Sequence, residues 1–352
     1  MNVKKILSLA ASIINLFIII LLFTHNSKAE EQNIKSYSDD KGILPLMYHR
    51  FNESKYPSTN IQMDVFKQQI ELIKNLKYQF YDPKNLEKNF HISKAEKKIL
   101  ITIDDAFSSF YEIAWPYLKK EKIPFILFVS TEAVGKNGYM TWEQIKELER
   151  EKIAYIGNHS HTHEYLVDLE NDNFIEDINT ASTILIKNLG YNPIFFSYPF
   201  GEYSSLIKKH IAKNFKFSFG QHSGVMDVNK DRHELPRFPI NEKYGDLKRF
   251  EFLINLQPLQ YKTLYPKEKY ITKNNPPKFS VEFFPEQKNL NIINCFSDEG
   301  NQWEKSNINF DKNILTINFR EKFLFRRGRV NCSLNDNGIW RWFGVQFSVK
   351  QN

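Results

Sequence analysis

Cysteine is nearly absent from this chain of 352 residues: Cys295 and Cys332 are the only two, so a densely cross-linked scaffold is excluded and at most one internal disulfide can form. No internal repeat or low-complexity tract stands out, and no block of like charge is present. The formal net charge is +7, yet the lysines are scattered singly and in short pairs. A solvated basic surface therefore explains the charge, and no nucleic-acid partner is expected. A hydrophobic fraction of 41% with 25% charged residues is that of an ordinary globular protein, which excludes widespread disorder. What the chain does have in excess is aromatic side chains, 30 Phe and 17 Tyr, which suit a well-filled, strand-rich core.

The amino terminus reads as an export signal. Lys4 and Lys5 precede an apolar run over residues 6–23, and Ser27-Lys28-Ala29 resembles a small-x-small cleavage site. The run is also long enough to span a bilayer, so a signal anchor is the alternative for residues 1–29 and the only membrane contact expected. Either way the remainder is placed outside the cytoplasm, whether periplasmic, extracellular or anchored facing outward. There Cys295 and Cys332 can be oxidised to a disulfide. Residues 30–42 are polar and without periodicity, as in a linker.

From residue 43 short apolar runs alternate with helical spacing. Strands are expected near 43–48, 99–103, 125–129, 154–156, 194–198 and 217–219, with helices near 63–76, 111–120, 141–152, 173–189 and 204–215. Such alternation needs crossover connections, so residues 43–275 are expected to form a parallel α/β sheet or barrel with its chemistry at the strand ends. After Pro276-Pro277 the pattern changes to period two, with a polar turn at Asp336-Asn337-Gly338. Residues 278–352 are therefore expected to form a small antiparallel β-sandwich domain.

Two constellations carry chemistry. Asp104-Asp105 follows directly on the strand 99–103, and adjacent residues of a strand point opposite ways. One carboxylate can then ligate a metal while the other is held apart as a base, although Asp is also common in plain caps and turns. His159-Ser160-His161-Thr162-His163 follows another strand, and three imidazoles in five positions point to metal binding. A helical turn would bring His159 and His163 to one face, whereas an extended segment would align all three. The helical turn is preferred, because an aspartate from the other loop then completes a three-ligand site with open positions. His161 would face elsewhere.

These residues carry a resemblance. Thr102-Ile103-Asp104-Asp105, then His159-x-x-x-His163, then Ser197-Tyr198-Pro199-Phe200-Gly201 resemble the ordered motifs of the polysaccharide deacetylase family, also called the NodB-homology or carbohydrate esterase family 4 group. The likeness spans roughly residues 49–239. It implies a distorted (β/α) barrel, a divalent metal, usually zinc, held by Asp105, His159 and His163, and Asp104 as catalytic base. It also implies a backbone N–H near Tyr198 that stabilises the oxyanion, with Tyr198 and Pro199 contacting an N-acetylated polysaccharide; His49, at the end of the first strand, either lines the same pocket or is a satisfied core histidine.

Departures from the family pattern touch catalysis. Ala106 stands where the family usually has Gly, which restricts the backbone beside the base. The arginine that often precedes the third motif and orients the base has no match at Phe195 or Phe196, and Arg237 is the candidate replacement. The late histidine that serves as catalytic acid has no clean match either. His222 is the best placed, with His233 and His210 behind it. Trp340 and Trp342 share a face of the last strand, where they either pack inward or stack on sugars, as Trp303 also could. The expected function is hydrolysis of N-acetyl groups of an extracytoplasmic polysaccharide, with O-deacetylation as a weaker variant. The competing reading is a catalytically impaired glycan-binding protein on the same fold.

Overall fold

The run Ile43-Leu44-Pro45-Leu46-Met47-Tyr48 has no polar side to show to water, and a strand of that kind is stable only when covered on both faces. In the computed structural model, which describes residues 35–351, it is buried throughout. The expected export signal and the first residues of the expected linker lie outside the described residues.

Ile43–Tyr48 (β1) is one of seven consecutively arranged parallel strands. The others are Lys98–Ile103 (β2), Phe125–Val129 (β3), Ala154–Asn158 (β4), Phe195–Ser197 (β5), Phe217–Phe219 (β6) and Phe238–Pro239 (β7). Their order in the sheet is β7-β1-β2-β3-β4-β5-β6, and the short strand Gln79–Phe80 pairs on β2. The ring then closes on itself. Leu235 bridges Phe219 in parallel, its N–H donates to Ser218, and Arg237 N–H donates to the His222 carbonyl. The same stretch continues as β7 against β1, with Leu46 opposite Phe238. A distorted barrel results, loosest where β4 meets β5 through the single pair Asn158↔Phe196.

The helices cover the outside for local reasons. Met63–Asn75 buries Phe66, Ile70 and Ile73, which recur at helical spacing. Trp142–Arg150 starts at a capping box between Thr141 and Gln144, and Ser204 caps Ser205–Asn214. The helix expected over 111–120 differs in kind. A π-helical turn, Phe110–Ala114, precedes the α-helix Trp115–Glu121, and Pro116, which has no N–H to donate, sits in the first turn of the latter.

Apart from the short parallel pair Arg50–Phe51 and Asn60–Ile61, the remaining strands form two sheets over a shared core in which Val281, Phe283 and Leu315 meet Cys332, Phe343 and Phe347. The four-stranded antiparallel sheet is Tyr261–Tyr265, Phe279–Phe283, Ile314–Asn318 and Asn307–Asp311. The six-stranded one is built around the hairpin Arg327–Asp336 and Ile339–Val349, whose two-residue turn places both Asn337 and Gly338 at positive φ, 53° and 89°. Gln257–Pro258 and Tyr270–Ile271 lie parallel to Ile339–Val349, so this sheet is mixed. Pairing with the carboxy-terminal strands thus begins at Gln257, ahead of Pro276-Pro277. Cys295 and Cys332 are cross-strand partners joined by a disulfide.

Residues 37–351 fall in one compact unit, and the sandwich lies directly on the barrel. Gly224 bridges Phe343, the Trp342 indole N–H donates to Ser223 Oγ at 2.9 Å, and the Trp340 ring meets Phe252 edge-on. Both tryptophans are therefore half-buried packing residues of that contact.

Candidate active site

Strand β2 delivers Asp104 and Asp105 to the carboxyl end of the barrel. Asp104 is fully buried, and Arg237 grips both its oxygens, Nη1 to Oδ1 at 2.6 Å and Nη2 to Oδ2 at 2.8 Å. The guanidinium is itself fully buried and spends its other protons on Ser197 Oγ at 2.7 Å, the Gly220 carbonyl at 2.9 Å and Thr102 Oγ1 at 3.3 Å. Such a planar, fully donated fork fixes the carboxylate in one orientation. Burial alone would raise the Asp104 pKa, but Arg237 and His159 outweigh it and hold the group below the usual carboxylate range. Asp104 is thus an ionised carboxylate in a dry setting.

Asp105 turns the other way, and Ala106 follows it, both in the left-handed region at φ 72° and 53°. The expected restriction at Ala106 is real: this residue occupies a conformation that costs an alanine about 1–2 kcal/mol. The reversal aims Asp105 Oδ1 at two imidazoles, 3.4 Å from His159 Nε2 and 3.3 Å from His163 Nε2.

His159 emerges from β4. Its Nδ1 lies 2.7 Å from the Ser197 carbonyl, which can only accept, so Nδ1 carries the proton and Nε2 presents a lone pair toward Asp105. Among the described residues, neither His159 Nε2 nor Asp105 Oδ1, both buried, has a hydrogen-bond partner. Acceptors that face one another in this way need a cation between them. Atoms of Asp105, His159 and His163 lie within 4.8 Å of each other, a two-nitrogen, one-oxygen donor set that fits a divalent metal such as zinc. Burial lowers His163 to about 4, leaving it neutral, as a ligand must be; the nearby His159 acts in the same direction. For His159 burial also acts downward, but Asp104 and Asp105 outweigh it and raise the pKa.

The segment 159–163 is not the helical turn expected for it. Ser160 and His163 adopt positive φ of 69° and 58°, which no helix contains. The amides that a helix would direct to its own carbonyls go instead to the buried Asp177 of the helix Asn171–Leu189. That carboxylate accepts from His161 N–H at 2.8 Å, Thr162 N–H at 3.0 Å and Thr162 Oγ1 at 2.6 Å. The irregular loop still brings His159 and His163 to one point, and His161 turns away to Thr131 Oγ1 at 2.8 Å.

The other expected site residues divide. His49 Nε2 lies 3.9 Å from Asp104 Oδ2, and His49 and His222 both line the cavity of about 830 Å³ that contains Asp105 and His163. Burial lowers His49 and takes His222 to about 4. Tyr198 and Pro199 are buried behind the cavity wall rather than on it. The Tyr198 hydroxyl donates to the His233 carbonyl at 3.1 Å, and its N–H is taken by the Phe219 carbonyl at 3.0 Å. Phe200, in the same turn and at φ 58°, lines the cavity instead.

Residues not singled out from the sequence hold this turn from the sandwich side. Gln346 Nε2 donates to the Phe200 carbonyl at 3.1 Å, and Arg326 Nε donates to the buried Glu202 at 3.0 Å. Arg326 also lies 3.5 Å over the Tyr165 ring, which stacks on Phe200 at 4.0 Å, and Phe200 meets the His163 ring at 4.7 Å. A chain of ring contacts therefore links the second domain to a candidate metal ligand. Alternation along the last strand was the one available signal for Gln346, and it does not say which loop the residue meets.

Residues 91–219 match the family model described as polysaccharide deacetylase. A poly-beta-1,6-N-acetyl-D-glucosamine N-deacetylase of Staphylococcus aureus strain N315 is 24% identical over 277 residues, covering 69% of this chain and 94% of that protein. The protein of the same name from Staphylococcus epidermidis is 23% identical over 245 residues, covering 61% and 85%. Among solved structures, IcaB from Ammonifex degensii superposes with a TM-score of 0.56 at 26% identity, over 61% of this chain and 97% of that one. The Streptococcus pyogenes deacetylase PplD, solved with acetate, shares the fold at a TM-score of 0.55 and 24% identity, over 60% and 98%. Motif order, barrel and matched segment agree: residues 91–219 are similar to the polysaccharide deacetylase family, and the barrel that carries them shares its fold with these solved structures.

Proposed function

We propose that this protein is a metal-dependent N-deacetylase acting on the acetamido groups of a polysaccharide outside the cytoplasm. The observation that carries the reading is the meeting of two partnerless acceptors, Asp105 Oδ1 and His159 Nε2, with His163, beside a second carboxylate locked by Arg237. Asp105, His159 and His163 would hold a divalent cation, which when bound would supply Lewis acidity toward a water and the acetyl carbonyl. Asp104 is the base that removes the proton from the attacking water. Arg237 keeps it ionised and aligned, so its Oδ2 edge faces the histidines at 3.8–3.9 Å.

Collapse of the tetrahedral species breaks the C–N bond and needs a proton on the departing amine. His222 is assigned to deliver it. Burial lowers the His222 pKa to about 4, so at neutral pH the proton it delivers is one taken up during turnover rather than one carried at rest. The oxyanion donor implied by the family likeness cannot be the Tyr198 amide, which the Phe219 carbonyl engages, and the neighbouring amide of Phe200 is assigned in its place. The competing reading, a glycan-binding protein without turnover, rests on a missing arginine beside the base and on the lack of a clean match for the catalytic acid; the Arg237–Asp104 pair weighs against the first of these.

The test is acetate release from N-acetylglucosamine oligomers by purified protein, with chelation, remetallation and Asp104→Asn as controls. Release lost on chelation, restored by zinc and absent in the variant is expected. Release that survives either treatment refutes the mechanism.

A further inference from the structure

The cavity that contains Asp105 and His163 does not end at the barrel. It continues along Lys243 and Arg249 and onto the second domain, where Arg327, Arg329 and Trp303 line it. Four cationic side chains thus face it against one carboxylate, Asp105, which is committed to the candidate metal site. Among the described residues none of the four has a tight ionic partner. The Arg249 guanidinium is held by the Tyr244 carbonyl, a neutral acceptor. Arg329 Nη1 stands 3.7 Å from Asp298, and Arg327 Nε stands 3.6 Å from Glu202, whose closer partner is Arg326 at 3.0 Å. Trp303 is exposed and offers a ring on which a sugar can stack.

A neutral polysaccharide presents only hydroxyls and amides, which give no reason to gather like charges around a cleft that already takes up a divalent cation. An anionic chain does, because a concave wall of one sign concentrates the opposite charge. We propose that the second domain makes this a cleft for an N-acetylated polysaccharide bearing anionic groups, carboxylate or phosphate, with Arg327 and Arg329 acting alongside Lys243 and Arg249. The proposal rests on the deacetylase reading and adds to it the substrate class.

The experiment uses the full chain loaded with zinc and three size-matched substrates: a neutral N-acetylglucosamine oligomer, an N-acetylated glycan carrying a carboxylate on alternate sugars, and one with phosphodiester links. At low salt, kcat/KM is expected to be at least about tenfold higher on one anionic substrate than on the neutral one, with the margin shrinking as salt shortens the screening length. The anionic arm that is preferred identifies the group. The double variant Lys243→Gln/Arg329→Gln should bring the anionic-to-neutral ratio down to about one through KM; both side chains lie at least partly in solvent, and Arg327→Gln alone should move the ratio the same way. Equal wild-type efficiency on all three substrates, or a ratio untouched by the double variant, overturns the proposal. If no substrate releases acetate, the deacetylase reading fails, and calorimetric binding of the same oligomers decides this inference separately. Tighter anionic binding that the double variant abolishes upholds it; equal binding refutes it.

Discussion

Replacing Arg237 by Gln removes the group on which the base depends. Five hydrogen bonds end on that guanidinium, two of them on Asp104, and neither residue has contact with solvent. Gln cannot span the fork, so the substitution strands a buried carboxylate. Breaking a buried pair from one side costs about 3–5 kcal/mol. The titration moves with it. Asp104 now sits below its ordinary pKa because Arg237 and His159 oppose a burial effect of the other sign. A depressed carboxylate contributes stability that is present above its unfolded pKa of 3.8 and is lost as pH falls through the lower folded value. Without Arg237 burial prevails, the folded pKa rises, and that contribution is lost at higher pH. Urea unfolding at neutral pH should show a lower midpoint with an unchanged slope, and the acid limb of kcat/KM should move upward. A stability loss under about 1 kcal/mol together with an unmoved acid limb would refute the pairing argument.

Lys97 Nζ is buried without a partner among the described residues, and burial lowers its pKa to about 7 from 10.5, so stability should be full above 10.5 and decline as pH falls toward about 7; in Lys97→Met that decline should vanish in denaturation curves, with a gain of a few kcal/mol at neutral pH. The Cys295–Cys332 bond closes a separation of 37 residues, for which unfolded-chain entropy gives about 4 kcal/mol; Cys295→Ala/Cys332→Ala should lose an amount of that order in chemical denaturation. Ala106→Gly should raise stability by up to about 1 kcal/mol, because Gly accepts the φ of 53° without strain, and thermal unfolding reads the change.

The barrel was legible because its strands are unbroken apolar runs, whose only stable setting is a covered parallel sheet, and because the helices between them keep their period. The metal group was legible for a related reason: Asp105 and His159 each follow a strand, and strands of a parallel barrel end on one face. The path of 159–163 was not, since its shape is set by Asp177, a residue from the next helix that pattern alone does not single out. Arg237 could be named as a candidate but not located. What locates it is the closure of the ring by residues 235–239, a long-range pairing with no local signature. Tyr198 was chosen for its place in the motif, yet the turn puts Phe200 on the cavity and buries Tyr198 against Phe196 and Tyr203. The sandwich was visible as period-two strands, but its contact with the turn through Gln346 and Arg326 lies in side chains whose partners are over a hundred residues away.

The central claim is that Asp105, His159 and His163 hold one cation, and calorimetric titration of zinc into chelator-stripped protein tests it most directly. One zinc per chain is predicted, with binding abolished in Asp105→Ala and in His159→Ala but retained in His161→Ala. Absence of binding by a folded protein, or binding indifferent to the loss of Asp105 and His159, would contradict it.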